Sequence, residues 1–301
     1  MSKDKTTILH MFTPAPNLSP FDVNMAIDAG WDHCIPYTGI AVDEVEALTQ
    51  DAIFSRGPKG VKATGIFIGG RDINVAMDML TRARKSMVPP FEVAVFADPS
   101  GAFTTAAAMV ACAEKQLAKH HDGDLEGRRV LVFGGTGPVG ATCAVLAARA
   151  GARTAIVSHM GKAAADEAAA HFGGRFSVTL EGADGSNDDA IKALLGEADV
   201  VFGAAKAGVQ VLNAGHLAKA PRLLVACDVN AVPPEGIEGV DVGAKGTPLE
   251  SASGKAVGIG AMAVGNVKYK VQHALLQEMV EAPDPRYLDF DDACRLARDL
   301  A

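Results

Sequence analysis

Gly135-Thr136-Gly137-Pro138-Val139-Gly140 is the motif with the clearest chemistry. It fits GxGxxG, follows the apolar run Arg129–Phe133 and opens a helix predicted over 141–150. Gly135 is expected to permit the tight turn, Gly137 to let the backbone approach a pyrophosphate, and Gly140 to let helix and strand pack closely. Thr136, Pro138 and Val139 complete the turn, and the N–H groups and positive dipole end of the helix face the phosphates. Without a ligand the same residues form only a turn. The strand before the turn and the helix after it favour a dinucleotide.

An NAD enzyme usually carries Asp or Glu at the end of the next strand, where it binds the ribose 2′-hydroxyl. Here that strand ends Ile156-Val157-Ser158-His159-Met160-Gly161-Lys162, with no acid. Ser158, His159 and Lys162 suit a 2′-phosphate, so NADP is expected over NAD. The competing reading is a surface loop that makes no 2′ contact. Further along, Asp199–Phe202 reads as a strand ending in the small residues Gly203, Ala204 and Ala205, which leave room for the dinucleotide bridge. Asp228 and Asn230 follow the fifth strand and fall near the expected nicotinamide ribose. Asn230 reads equally well as a turn residue before Pro233-Pro234. Gly258 and Gly260, in a second glycine-rich stretch, are assigned to the cofactor site as well.

Two charged residues complete the candidate set. Asp98 stands at the carboxyl end of an apolar strand, followed by Ser100, Gly101, Thr104 and Thr105. Strand ends of open α/β sheets face the binding crevice, although Asp98 or Ser100 could equally cap the next helix. Lys268 lies just after the Gly258–Gly265 region. By itself such a lysine is more often a solvated charge.

The elements that must position these residues alternate strand and helix nearly throughout. Strands are predicted over 6–12, 33–37, 63–69, 91–97, 129–133, 154–157, 178–180, 199–202 and 223–226. Helices are predicted from Pro20 to Gly30, over 43–55, along Ile73, Ala76, Met77, Leu80 and Ala83, and over 104–119, 162–171, 188–195, 211–219 and 262–281. This predicts two α/β domains, the second a Rossmann-type doubly wound parallel sheet, with a cleft between them. The polar stretch 120–127 marks the boundary. The dinucleotide domain is then 124–258, and the substrate domain 1–123 joined by 259–301.

The 301 residues are 49% hydrophobic and 21% charged, which excludes a disordered chain. A net charge of −8 makes nucleic acid or an anionic membrane a poor partner. Five cysteines without a CxxC pair read as reduced, mostly buried thiols in a cytoplasmic protein, and no metal is expected. The N-terminus lacks an apolar leader run, and no segment of about 18 apolar residues could span a membrane.

The chain resembles the NAD(P)-dependent methylene-tetrahydromethanopterin dehydrogenases of methylotrophic bacteria. The resemblance rests on 19–30 (SPFDVNMAIDAG), 35–39 (IPYTG), 64–70 (TGIFIGG), 96–101 (FADPSG), 228–234 (DVNAVPP) and 257–269 (VGIGAMAVGNVKY). It implies hydride transfer from the methylene bridge of the pterin to nicotinamide, leaving a methenyl cation. It also implies an active-site role for Lys268, a place for Asp98 at the cleft, and a homo-oligomer of three or more copies. A site that removes no proton needs alignment of two large ligands more than an acid–base pair. Asp98 would stabilise the developing positive charge, and Lys268 would hydrogen-bond the pterin edge. The rival readings are an NADP-dependent methylene-tetrahydrofolate dehydrogenase and a non-catalytic NADP-binding sensor.

Overall fold

The computed structural model describes residues 6–282 and 284–301. The first five residues, part of the stretch read as leader-free, lie outside them. Among the described residues the strands are β1 Ile8–Thr13, β2 His33–Thr38, β3 Thr64–Ile68, β4 Ala94–Ala97, β5 Arg129–Phe133, β6 Arg153–Ser158, β7 Glu181–Asp184, β8 Val200–Gly203, β9 Val225–Asp228, β10 Lys245–Pro248, β11 Val257–Ile259 and β12 Tyr287–Leu288. The helices are α1 Pro20–Asp28, α2 Val45–Phe54, α3 Gly57–Val61, α4 Ile73–Lys85, α5 Ala102–His121, α6 Pro138–Arg149, α7 Lys162–Phe176, α8 Asp188–Leu195, α9 Ala214–Leu217, α10 Ala261–Glu281 and α11 Phe290–Leu300.

The chain divides into two compact units. One runs to Thr104 and takes in Tyr269–Leu296. Its sheet has the order β2-β1-β3-β4-β12, with every pairing parallel. This is the 2-1-3-4-5 order of flavodoxin-like sheets, whose switch point lies between β1 and β3. β3 and β4 are buried along their whole length, whereas the edge strand β2 is largely exposed. Central parallel strands are covered on both faces, so their side chains are predominantly apolar, and the one polar side chain in β3, Thr64, is satisfied by the Gly60 carbonyl. Pro20 opens α1, where its missing N–H has no partner to lose. Ser19 occupies the cap position, but its side chain makes no cap bond. Within this unit the later turns of α10 lock onto α1 and its exit loop. Gln272 Nε2 donates to Asp22 Oδ1 at 2.9 Å, and Trp31 Nε1 donates to the Leu276 carbonyl at 3.1 Å.

The other unit comprises Thr105–Lys268 and Ala297–Ala301. Its sheet has the order β7-β6-β5-β8-β9-β11-β10, parallel except for the antiparallel edge pair β10–β11. Counted from β5, the parallel strands run 3-2-1-4-5-6, the Rossmann order. The core on one face gathers Leu131, Val201, Ala226, Leu212, Leu217 and Ile237.

Several predicted boundaries move. The strand expected over 178–180 forms later, at β7. The helix before it runs on to Phe176 and ends at Ser177 in the left-handed region, with Val178 N–H bonded to the Gly173 carbonyl. That geometry spends 178–180 on leaving the helix. Gly182 then fits β7 against α7, since a Cβ there would collide with the Asp166 backbone N. The helix expected over 211–219 shrinks to α9, because Val211 and Leu212 both donate to the Gly236 carbonyl. Residues 257–259 are a strand as well as a glycine-rich stretch, and α11 was not anticipated.

Candidate functional site

The glycine-rich turn joins β5 to α6, and β5 pairs with both β6 and β8. It therefore sits at the switch point of the second sheet, where strand order reverses and ligands bind. Each glycine has a distinct physical task. Gly134, which opens the glycine-rich turn ahead of the GxGxxG string, carries the positive φ of +73°. A Cβ on it would lie 2.6 Å from the Ala204 carbonyl and the Ala205 N. The tight turn thus belongs to Gly134, which corrects the role expected of Gly135. Gly135 is excluded from bearing a side chain by Ile156 of β6 and the Val132 carbonyl, both at 2.9 Å. The doublet Gly134-Gly135 was the visible signal. Gly140 packs α6 against the turn, because a Cβ there would overlap the Gly134 carbonyl.

Gly137 differs. It has an ordinary backbone (φ −83°, ψ 167°), and a Cβ on it would meet only the Gly134 carbonyl, at 3.4 Å. No protein atom accounts for a glycine here, so the open face suits the close approach of a phosphate. Pro138 takes the first helical position. Val139 and Gly140 follow in the first turn, where N–H groups have no intrahelical acceptor. The residues present fit a dinucleotide pyrophosphate.

At the end of β6, Ser158 is buried and its Oγ accepts the Met160 N–H at 3.1 Å. The hydroxyl shapes the turn and retains its own proton to donate. His159 is exposed. Lys162 is exposed and reaches both Asp166 carboxylate oxygens, at 2.5 and 2.6 Å. An exposed i,i+4 pair of this kind is weak and yields readily to a second anion.

The residues after β8 and β9 are held by backbone contacts. Ala204 N donates to the Phe133 carbonyl at 2.9 Å, which pins the Ala204-Ala205 segment beside the glycine turn. Asp228 Oδ1 accepts the Asn230 N–H, and Oδ2 accepts those of Gly236 and Ile237, at 2.8–3.1 Å. Burial pushes this carboxyl up, against the pull of those three donors. Asn230 Oδ1 accepts from Gly208 and Val232, and its Nδ2 donates to the Pro234 carbonyl at 2.7 Å. Both side chains are committed to fastening the loops beyond β8 and β9. Gly258 lies in β11 with Val240 at 3.3 Å from its Cβ position, and a Cβ on Gly260 would overlap the Asp241 carbonyl. Protein packing alone accounts for these two glycines.

In the first unit, Asp98 is fully buried. Its Oδ1 accepts the Phe103 and Thr104 N–H groups, and its Oδ2 accepts the Thr104 hydroxyl at 2.7 Å. The helix-capping alternative is realised: this carboxylate caps the first turn of α5. Ser100, beside it, has φ +54°, a strained conformation for a side-chain-bearing residue. Its hydroxyl donates to the Gly70 carbonyl at 2.8 Å. Lys268 belongs to the other unit, where it ends the long segment two turns into α10, and it is half-buried.

Cys112, Cys143, Cys227 and Cys294 are buried, Cys34 is half-buried, and none of the five is in a disulfide. Burial pushes the Cys112 thiol up to about 11 and Cys227 well above its ordinary value, so neither is a thiolate near neutrality. No group of three or more metal-ligating side chains occurs among the described residues. No helix among them is long and apolar enough to cross a membrane.

Fold and turn together define an α/β protein of the Rossmann class. Among solved structures, the chain is similar to shikimate 5-dehydrogenase from Listeria monocytogenes, with a TM-score of 0.51 at 12% identity, covering 97% of this chain and 96% of that one. The model of the methylene-tetrahydromethanopterin dehydrogenase N-terminal family matches residues 20–100. The NAD(P)-dependent methylenetetrahydromethanopterin dehydrogenase of Methylorubrum extorquens is 50% identical over 98% of this chain and 99% of its own length. The bifunctional protein MdtA of the same organism is 31% identical over the same shares. The chain belongs to the methylene-tetrahydromethanopterin dehydrogenase family.

Proposed function

We propose that this chain oxidises methylene-tetrahydromethanopterin to the methenyl cation with NAD(P)+ as hydride acceptor. The 50% identity to the Methylorubrum dehydrogenase across nearly all of both chains carries the reading. The glycine turn supports it: Gly137 leaves an open face at a Rossmann switch point where nothing in the protein demands a glycine. Residues 124–258 hold the dinucleotide, and 1–123 with 259–301 hold the pterin. The turn Gly135–Val139 binds the pyrophosphate. Ser158, His159 and Lys162 receive a 2′-phosphate, which makes NADP the preferred cofactor. Ala204 and Ala205 leave room beside the bridge. Asp228, Asn230, Gly258 and Gly260 act through the loops and strand they hold in place.

Bound NAD(P)+ supplies the hydride acceptor; the protein's part is alignment and charge. Lys268 donates a hydrogen bond to the pterin's polar edge. Asp98 fixes the start of α5 and sets a negative charge at a strand end, which favours the build-up of positive charge on the carrier. The protein works in the cytoplasm as a homo-oligomer. The test is a spectrophotometric assay at 340 nm, pairing methylene-tetrahydromethanopterin and methylene-tetrahydrofolate with NAD+ and NADP+. Reduction with the methanopterin carrier, fastest with NADP+, is expected. Turnover only with the folate carrier, or none with either, refutes the reading.

A further inference from the structure

The sheet of the first unit has its own switch point, between β1 and β3. Beyond the carboxyl ends of these two strands lies a groove of about 470 Å³ lined by Pro14, Ala15, Asn17, Arg71, Asp72 and Val75. Its lining comes from both strand ends: Pro14–Asn17 follow β1, and Arg71–Val75 follow β3. Crevices at this place in an open α/β sheet are where ligands bind.

The turn bearing Arg71 is held on three sides. Gly70 has φ +106°, and a Cβ there would meet the Pro14 ring at 3.0 Å, so the turn lies flat against the β1 exit. The strained Ser100 spends its hydroxyl on the Gly70 carbonyl. On the far side, Asp72 Oδ1 accepts the Asn74 and Val75 N–H groups at 2.7 and 3.2 Å, capping α4. These bonds tie the neighbouring acid to its own helix. Arg71 itself is exposed, and no carboxylate among the described residues pairs with it. Elsewhere in this unit Arg82 and Arg286 each hold a glutamate. A fixed turn that aims an unpaired guanidinium over a groove walled by proline rings fits a ligand with an apolar body and an anionic end.

We infer that this groove takes the side chain of the one-carbon carrier, and that Arg71 binds a carboxylate or phosphate on it. The inference rests on the pterin dehydrogenase reading and deepens it. As a contact to the carrier's side chain and not to its reacting carbon, Arg71 would contribute to binding alike in ground and transition states. Such a contact lowers KM without raising kcat. A guanidinium also gives a bidentate geometry that lysine lacks.

The experiment compares Arg71→Ala, Arg71→Lys and Arg71→Glu with the intact enzyme. The substrates are methylene-tetrahydromethanopterin and an analogue truncated after the arylamine ring, which keeps the reacting pterin and loses every anionic group. For the full carrier, KM should rise about two- to fivefold in Arg71→Ala, less in Arg71→Lys and more in Arg71→Glu, at constant kcat. For the truncated analogue none of the variants should differ from the parent, and NADPH affinity by fluorescence titration should hold throughout. Competition by inorganic phosphate that disappears in Arg71→Ala assigns a phosphate, and competition by glutarate that disappears assigns a carboxylate. An unchanged KM for the full carrier in Arg71→Glu, or an equal rise with the truncated analogue, overturns the inference. If the parent enzyme turns over neither carrier, the dehydrogenase reading fails. Calorimetric binding of the full carrier to parent and Arg71→Glu then decides the groove separately, with equal affinity overturning it.

Discussion

Replacing Gly137 and Gly140 by alanine one at a time should separate the glycine that serves the ligand from the one that serves the fold. At Gly137 an alanine Cβ meets a single atom, the Gly134 carbonyl at 3.4 Å, and the backbone is already in an extended region open to any residue. Alanine there restricts the unfolded chain, which stabilises by about 0.4–1 kcal/mol. It is a poorer helix cap than glycine, which offsets a similar amount. Net stability should stay within about 1 kcal/mol, and Tm within roughly 4 °C. The added methyl nevertheless occupies the face where the pyrophosphate approaches. Losing one hydrogen bond to a charged phosphate costs about 1.5–3 kcal/mol, so the Kd for NADPH should rise roughly ten- to a hundredfold. At Gly140 the Cβ overlaps the Gly134 carbonyl and lies 2.8 Å from the Gly135 Cα, all backbone, so nothing flexible can yield. Overpacking of that kind costs about 1–3 kcal/mol, and Tm should fall by roughly 2–12 °C. Differential scanning fluorimetry reads the first quantity and fluorescence titration of NADPH the second. A stable Gly137→Ala protein with parental NADPH affinity would falsify the pyrophosphate assignment. An undiminished Tm in Gly140→Ala would refute the close-packing argument.

Ser158→Asp keeps an acceptor for the Met160 N–H while adding a negative charge where the 2′-phosphate is proposed to lie; repulsion of about 1–2 kcal/mol should shift the NADP/NAD preference roughly five- to thirtyfold toward NAD, and an unaltered ratio of kcat/KM values refutes the strand-end assignment. Lys268→Ala should lower kcat/KM for the pterin by roughly ten- to a hundredfold, with NADPH affinity and the pH profile retained; parental pterin kinetics return Lys268 to the role of a solvated charge. Desolvation, with the Arg56 charge adding to it, holds His10 below its ordinary value of 6.5, while its ring Nδ1 meets the Tyr37 hydroxyl at 3.1 Å. Between 6.5 and that lowered value the unfolded chain binds a proton that the folded chain does not, so stability rises with pH through this window and is lost as pH falls through it. Denaturant unfolding at pH 5.5 and 7.5 should show this difference in the parent and a smaller one in His10→Gln; equal differences in both proteins exclude His10 as a source.

The sequence by itself determined the pattern that local physics controls. Arg129–Phe133 is an unbroken apolar run because a central parallel strand is covered on both faces, and its predicted limits coincide with those of β5. Pro20 and Gly30 marked the two ends of α1, since one residue fixes φ and the other tolerates the left-handed region. The 3.6-residue period of Ile73, Ala76, Leu80 and Ala83 gave α4. The same signal was available for α11 in Phe290, Ala293, Cys294 and Ala297, all buried, and went unread. Family membership was also legible, because the motifs that carry it are local strings.

Tertiary structure decided what each polar or glycine side chain is for. Asp98, Asp228 and Asn230 read as binding residues because they follow strands, yet their side chains hydrogen-bond groups of the protein itself up to 22 residues away. Gly258 and Gly260 read as cofactor glycines, but the atoms that exclude a side chain belong to Val240 and Asp241. Gly137 alone among the motif glycines keeps an open face, and Arg71 alone of its turn keeps an unsatisfied charge. A one-dimensional string fixes which residues can make a hydrogen bond or a close approach. Which of those opportunities the protein itself has already filled depends on atoms that only folding brings together, so the residues left for a ligand emerge by subtraction in three dimensions.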